Sequence, residues 1–600
     1  MKMRNLLTAT AAWAAVLTPT IGTAQDDGGF MLDEAPAEEA EPLFANELEL
    51  GIGYNSEDSF KFGEYTGLAE SELFPIVNFD LLSRPAWDSE ETRYYRIRGE
   101  RLGLDSRFIE GEYGDQGSYS VGLRYREIPH YLIDDARVPY RGTGGTELSL
   151  PPGWTPATSN QAFPDLGTSL RSVDIKNERQ QLTGLLSLLP GDGWTLDVEL
   201  GHENRDGTKP TYAAFGTNGG NPSIVAFPRP VEWKTNDIKT TLGYAEKKYQ
   251  FELEYHGSFF NNDNEVVRFQ NPYSGTFSGS PWAAAAAYPA AGGMGLPPDN
   301  QSHQFLFSGG YTLGAASRLS GQLSYAMLEQ DEQFLPYSSN PALLVTRGLP
   351  RQSLDGDLAI LTADLAYSTR LQPRTHLRAR VRYEDQDNST PRDVYVRIAG
   401  DAQNQPAGLA NGNARLNLPY SFDKFRFNTE LSHRLASGTG LGLEYEFENH
   451  SRTFAEVEET DEHTVTGKLR HRFSNTINSR FSYTHAERDG NDPYRDNTPF
   501  LAGHTTELLA TLAPDDRFEN HPAVRKYNIA DRSLNEVKGS VHISASEATS
   551  WSLNGSWRLE DFDDTSLGLT ERQLLRAAVD LNHELNDNVM LRGYYSFEQF

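Results

Sequence analysis

The sequence predicts an all-β fold, a large antiparallel transmembrane β-barrel. Three observations lead there. An export signal is followed by no apolar helix long enough to span a membrane. Apolar and polar side chains alternate with a period of two through most of the chain. The connections between alternating segments are short and long in turn.

The chain opens with Lys2 and Arg4, then a short apolar run from Leu6 to Leu17, then Gly22-Thr23-Ala24 before Gln25. A basic start, an apolar core and small residues at a cleavage point make a secretory signal, so residues 1–24 are expected to be removed on export. The run is too short for a membrane helix, which needs about 20 residues. The nearest later candidate, Trp282 to Leu296, is broken by Pro289. Residues 25–45 are rich in Ala, Glu and Pro without periodicity, and are expected to form an acidic, disordered periplasmic linker.

From residue 46 to residue 600 the pattern is that of strands. Leu48, Leu50, Ile52 and Tyr54 alternate with Glu47, Glu49, Gly51 and Gly53. Tyr119, Val121, Leu123 and Tyr125 do the same against Ser118, Ser120, Gly122 and Arg124. So do Trp194 to Leu200, Tyr249 to Tyr255, Leu377 to Tyr383, Leu441 to Phe447 and Trp551 to Leu559. Such alternation marks a strand with one apolar face. A soluble sandwich or propeller alternates too. Three features weigh against it: Tyr or Trp at segment ends, as in a membrane-interface girdle; a densely charged polar face, as in Arg378, Arg380, Arg382 and Glu384; and the regular connections.

Short turns fall at Gly114 to Gly117, Pro190 to Gly193, Glu246 to Lys248, Gly314 to Ser317, Ala436 to Gly440 and Asn586 to Asn588. Long loops are expected at about Ile128–Leu170, Gly207–Glu232, Asp263–Ser302, Pro336–Ser353, Asp387–Tyr420 and Arg488–Arg532. Outer-membrane barrels keep short turns in the periplasm and long loops outside the cell. No internal repeat is visible. The count from Glu47 is about 21 strands, whereas single-chain bacterial barrels have even numbers. Phe600 also falls on the face of Arg592, Ser596 and Glu598, opposite Leu591, Tyr595 and Phe597. The expectation is that the natural chain continues beyond Phe600.

Composition excludes several function classes. There is no cysteine, so disulfide scaffolds, cysteine-based zinc sites, iron–sulfur clusters and covalent haem attachment are ruled out. A net charge of −30, from 84 acidic and 54 basic residues, argues against nucleic-acid binding. The low mean hydropathy of −0.58 does not exclude a barrel, because only alternate residues need to face lipid. No catalytic constellation is found among the 14 histidines, and no nucleophile elbow or phosphate loop occurs. Glu458-Glu459 and Asp563-Asp564 read as solvated carboxylates. Asp489-Gly490-Asn491-Asp492 with Asp496 has the oxygen-rich look of a calcium loop but matches no defined spacing. No catalytic, cofactor-binding or metal-binding residue is therefore assigned, and the chain is not expected to be an enzyme.

The charged inner face has two readings, a wetted wall or a surface that docks a large partner. A barrel of this strand number encloses a wide bore. The first strand begins near Glu47 and leaves no room for a plug domain, so a plug would come from another protein.

Several stretches resemble the MtrB/PioB-type decahaem-associated outer-membrane proteins. They are Gly51 to Leu68 (GIGYNSEDSFKFGEYTGL), Asn78 to Leu81, Tyr125 to Tyr131, Asp134 to Tyr140, Leu150 to Trp154, Pro298 to Gln301, Ser353 to Gly356 and Arg525 to Arg532 (RKYNIADR). Together they run from about residue 46 to 600. The resemblance implies a barrel of about 26 strands that sheathes a periplasmic multihaem c-type cytochrome and lets electrons cross the outer membrane. Haem would belong to that partner and none to this chain; a second, extracellular multihaem cytochrome is a further implied partner, beside outer-membrane lipid. The MtrB branch carries a Cys-x-x-Cys near its mature N terminus. Its absence here points to the PioB-like branch. The rival reading is a general or substrate-specific diffusion porin with no cytochrome, and a third is a surface adhesion or structural barrel.

Overall fold

The computed structural model describes residues 46–600, apart from 86–88, 158–160, 219–220, 274–289, 340–342, 399–403, 491–502, 514–515, 518–520, 522 and 587–588. The expected signal (1–24) and linker (25–45) lie outside the described residues. So do most of the apolar run from Trp282 and the calcium-like stretch beyond Gly490.

The first strands are β1 (Glu47–Tyr54), β2 (Leu73–Ser83), β3 (Arg93–Glu100), β4 (Phe108–Asp115), β5 (Tyr119–Val138), β6 (Glu147–Leu148) and β7 (Arg171–Gly191). Next come β8 (Trp194–Asn218), β9 (Asn221–Ala245), β10 (Tyr249–Asn262), β11 (Val266–Gln270), β12 (Ala291–Gly295), β13 (Asn300–Thr312) and β14 (Ser317–Gln330). They continue as β15 (Gly356–Gln372), β16 (Thr375–Asn388), β17 (Val394–Val396), β18 (Ala414–Leu416), β19 (Phe422–Ala436) and β20 (Thr439–Arg452). The last are β21 (Glu459–Arg472), β22 (Ile477–Gly490), β23 (Arg532–Ser546), β24 (Thr549–Asp561), β25 (Glu571–Asn586) and β26 (Val589–Gln599).

Of these, 21 form one sheet, the number read from the sequence. Each strand pairs antiparallel with the sheet strands before and after it. Among the described residues, β1 pairs only with β2 and β26 only with β25. β6, β11, β12, β17 and β18 lie in the connections.

The cross-strand register carries the alternation from strand to strand. Leu431 faces Leu443, Leu441 faces Leu469, and Leu469 faces Phe481. The apolar side chains therefore form rows on one face, and these rows are bare: Ile52 is 79% exposed, Leu123 58% and Leu443 58%. Water would not tolerate an apolar surface of that extent, whereas hydrocarbon would. Aromatic side chains edge the rows near the turns: Trp194 lies 4.7 Å from Tyr244, which lies 5.6 Å from Tyr249. Ten residues up the same strand, Phe259 packs against His303 at 5.4 Å. Ten residues at about 3.3 Å rise, tilted about 40°, give a band about 25 Å tall, which is the apolar height of an outer-membrane barrel.

The expected turns are all turns, with residues 587–588 outside the described ones. Two expected loops need correction. Gly207–Glu232 is mostly ladder: β8 and β9 continue as a paired ribbon to Asn218 and Asn221. Prolines suggested a loop there, but Pro210 faces Pro228, and Thr208 faces Pro230. The missing N–H groups thus fall at confined positions, and the ribbon rises beyond the membrane where water can serve its open groups. Similarly, β5 continues to Val138 through two irregularities between Tyr131 and Ala136, so its loop begins at residue 139.

A helix that alternation could not reveal, α1 (Phe60–Thr66), occupies the β1–β2 connection. Ser59 caps it by accepting from the Phe62 amide, and Gly67 ends it at φ 82, a left-handed conformation suited to glycine.

The assignment of faces makes a direct prediction. Leu443→Arg, about midway across the apolar band, should lower the stability of the folded barrel by about 2–4 kcal/mol, while Thr466→Arg, on the opposite face next to Glu444, should leave it nearly unchanged. Urea titration of the two variants in liposomes, followed by tryptophan fluorescence, checks this.

Candidate functional site: the charged inner face and its outer cap

The same parity that turns leucines outward turns charges inward. Arg96 pairs with Asp80 at 2.5 Å, Arg124 with Glu110 at 2.6 Å, Lys239 with Glu254 at 3.2 Å and Arg380 with Asp364 at 2.7 Å. Lys468 bridges Glu444 at 2.6 Å and Glu430 at 3.3 Å. Lys424 and Arg426 both hold Glu448. These pairs cross between neighbouring strands, Lys468–Glu430 reaching across β20 to the next but one, on a half-exposed wall, where each contributes at most about 1 kcal/mol. Their collective effect is a polar, hydrated surface from β1 to β26.

The pairing tightens at the outer end of the last strands. Arg532 donates to Glu462 at 2.8 Å and to Glu560 at 2.9 Å, and Glu560 also accepts from Arg558 at 2.7 Å. Glu560 is only 3% exposed. A buried carboxylate with two guanidinium donors is satisfied; without them it would carry an uncompensated charge. Of these residues the sequence reading singled out only Arg532, as the end of the RKYNIADR stretch.

Of the residues it did single out, Arg380 is bound to Asp364 and Arg382 to Glu384. Arg378 has no ion pair among the described residues and is exposed. Glu459 accepts from Asn449 at 2.6 Å on the outer rim. Asp563 and Asp564 sit in the connection after β24. No group of three or more His, Asp or Glu side chains suited to a metal occurs among the described residues.

Above the membrane, the connections fold into a cap with its own apolar core. Tyr140, Leu148, Leu150, Phe215, Phe227, Val267, Phe269 and Tyr273 are buried together. The Phe227 and Phe269 rings pack tilted with centroids 4.7 Å apart, and the Tyr140 hydroxyl donates to the Gln270 carbonyl at 2.9 Å. The loops after β14, β16 and β22 interlock separately. The Tyr337 hydroxyl accepts from the Val396 amide at 3.1 Å, and the Leu416 amide donates to the Gly503 carbonyl at 2.7 Å.

Beside this cap, on the β8 ribbon, Lys209 and Arg205 lie over the Trp233 ring at 4.4 and 5.4 Å. Lys209 stands 15 residues above Trp194, about 38 Å up a strand tilted by about 40°, and so outside the apolar band. Burial, with the like charges of Arg205 and Arg229, brings the Lys209 ammonium down to about 8.

An unfolded lysine titrates near 10.5, so between about pH 8 and 10.5 the unfolded ribbon binds more protons than the folded one. The ribbon should therefore gain stability as pH rises through that window. We expect resistance of the β8–β9 ribbon to external protease to increase from pH 7.5 to 10, and Lys209→Met to flatten the rise. Cleavage rates on whole cells or liposomes check this.

The family model that matches this chain agrees with this architecture. It is described as an outer membrane beta-barrel porin, MtrB/PioB, and matches residues 54–600. The outer membrane protein MtrB of Shewanella baltica is 26% identical over 554 residues, spanning 92% of this chain and 72% of that protein. Among solved structures, the siderophore receptor PiuA of Acinetobacter baumannii aligns with a TM-score of 0.38 at 10% identity, over 87% of this chain and 72% of the other. The ferric-catecholate receptor Fiu of E. coli aligns at 0.39 and 12%, over 86% and 74%.

Proposed function

The chain belongs to the MtrB/PioB family of outer-membrane β-barrel porins, and from that premise we propose that it is the sheath of a transmembrane electron conduit. In this reading it houses a periplasmic multihaem c-type cytochrome and insulates it from lipid. The observation that carries the reading is the inner face. It is polar and charged across 21 strands, and a ring of that many strands is about 40 Å across, backbone to backbone. Such a bore admits a folded protein, since a 100-residue domain has a radius of gyration of about 13 Å. With no cysteine, the chain has no Cys-x-x-Cys-His to hold haem covalently, so the redox groups would reside on the partner. The resemblance set out above is what names that partner as multihaem. We further place the chain in the PioB-like branch, with residues 1–24 as its export signal and 25–45 as a periplasmic linker.

A second reading has its own support. The family's description is that of a porin, and the interlocked outer loops could narrow the bore to a diffusion channel without any protein inside. The two readings separate cleanly. Purified gently from native membranes, the sheath should carry c-type haem in fixed proportion to the barrel, visible by haem stain and by an absorbance band that sharpens on reduction. A haem-free barrel that conducts ions in planar bilayers would establish the porin instead.

A further inference from the structure

The charges on the inner face are not mixed evenly; they are sorted by sector. In the periplasmic half of β1 to β10, the inner residues include Glu47, Glu49, Glu112, Asp197, Glu199 and Glu252, and among the described residues none of these has an ion pair. Glu110, Glu112, Asp197 and Glu199 line one hollow of about 280 Å³ on that wall, with Arg124 and Lys239 as its basic residues.

On β14 to β22, the equivalent positions carry Arg318, Arg370, Arg378, Arg434, Arg470 and Arg480, all exposed and, among the described residues, without an ion pair. Register makes them a belt. Arg434 faces Gly440, Gly440 faces Arg470, Arg470 faces Arg480, and Arg480 faces Ser540. One step farther from the turns runs a second row, Lys468–Ser482–Lys538–Ser556–Arg576. These rows border a hollow of about 640 Å³ lined by Lys468, Arg470, Arg480, Lys538 and Arg576, with Glu598 as its acidic residue.

Two arginines placed directly opposite each other destabilise a sheet, so this arrangement works against the barrel's own stability. Its extent rules out a small-anion site. From Arg318 on β14 to Arg576 on β25 the belt crosses ten strands of the sheet, about 45 Å of wall at 4.8 Å per strand, which is the scale of a protein face.

We propose that the basic belt seats a face of the enclosed protein rich in carboxylate side chains, while the acidic sector meets a face rich in Lys and Arg. Sorted charge on the wall then sets the rotational orientation of the occupant about the bore axis. Opposite potentials attract and like potentials exclude the misrotated pose. The inference rests on the sheath reading and adds to it the chemistry of the two docking faces.

The test uses the complex purified from native membranes. Wild-type complex should lose its haem protein as ionic strength rises, because contacts at a hydrated wall are screened beyond about 10 Å at 0.1 M salt. Arg434→Glu, Arg470→Glu and Arg480→Glu combined should lower the haem-to-barrel ratio on the order of tenfold at physiological salt. Folding of that variant is checked by heat-modifiable migration. If it does not fold, a photo-crosslinking residue at Ser540 or at Ser187, on otherwise native barrels, takes its place. Crosslinks from Ser540 should capture acidic peptides of the partner, and those from Ser187 a separate, basic set. Capture of the same peptides from both positions, or haem retention indifferent to salt and to charge reversal, would overturn the proposal. Wild-type barrels with no haem protein at all would instead remove the sheath reading on which it stands. In that case a switch from anion to cation preference in the charge-reversed channel would reassign the belt to ion selection, and the docking proposal would fall.

Discussion

A strand in hydrocarbon has no water to serve its N–H and C=O groups, so every ladder bond must be made by a neighbouring strand. That requirement organises this molecule. It explains why 21 strands follow one another as antiparallel neighbours, and why the apolar rows can stand bare on one face without a second layer to cover them. Because each strand shows one side to lipid and one side inward, the period of two also decides where every charge goes. The leucine rows and the arginine belt are two consequences of one geometry.

Legibility in the sequence follows the range of the interaction concerned. Strand identity and face depend on residues two apart, and Leu441 to Phe447 or Trp551 to Leu559 could be read directly. Turn positions were marked by local signals such as Pro190-Gly191-Asp192-Gly193. The β8–β9 ribbon was hidden because Pro210, Pro228 and Pro230 look like breakers until their cross-strand positions are known. Helix α1 was hidden because seven residues are too few to show a period.

The candidate site was legible only in part. The run Arg378, Arg380, Arg382, Glu384 lies on one strand and could be seen. That Arg470 stands opposite Arg480, two residues past Gly440 in the ladder order, depends on the register of β20, β21 and β22. Register is set by turn length and geometry together with the pattern on both sides, and one residue of slip would have sent these side chains into lipid. Parity within each strand held the signal for each arginine; their union in a belt did not exist before the turns were placed. The Glu462–Arg532–Glu560 cluster, likewise, joins β21, β23 and β24 across a long connection.

The outer cap carries a consequence for how the molecule is made. Its core draws Tyr140 from one connection, Phe215 and Phe227 from the β8–β9 ribbon, and Val267, Phe269 and Tyr273 from a second connection, and Tyr140 bonds to Gln270, 130 positions away. These groups meet only on the far side of the bilayer. Each connection must therefore be carried outward unfolded, and the cap can set only after the hairpins through β13 have been delivered. Once set, its aromatic cluster is too bulky to slip back through the lipid, so closing the cap latches the hairpins that carry it and gives their insertion its direction.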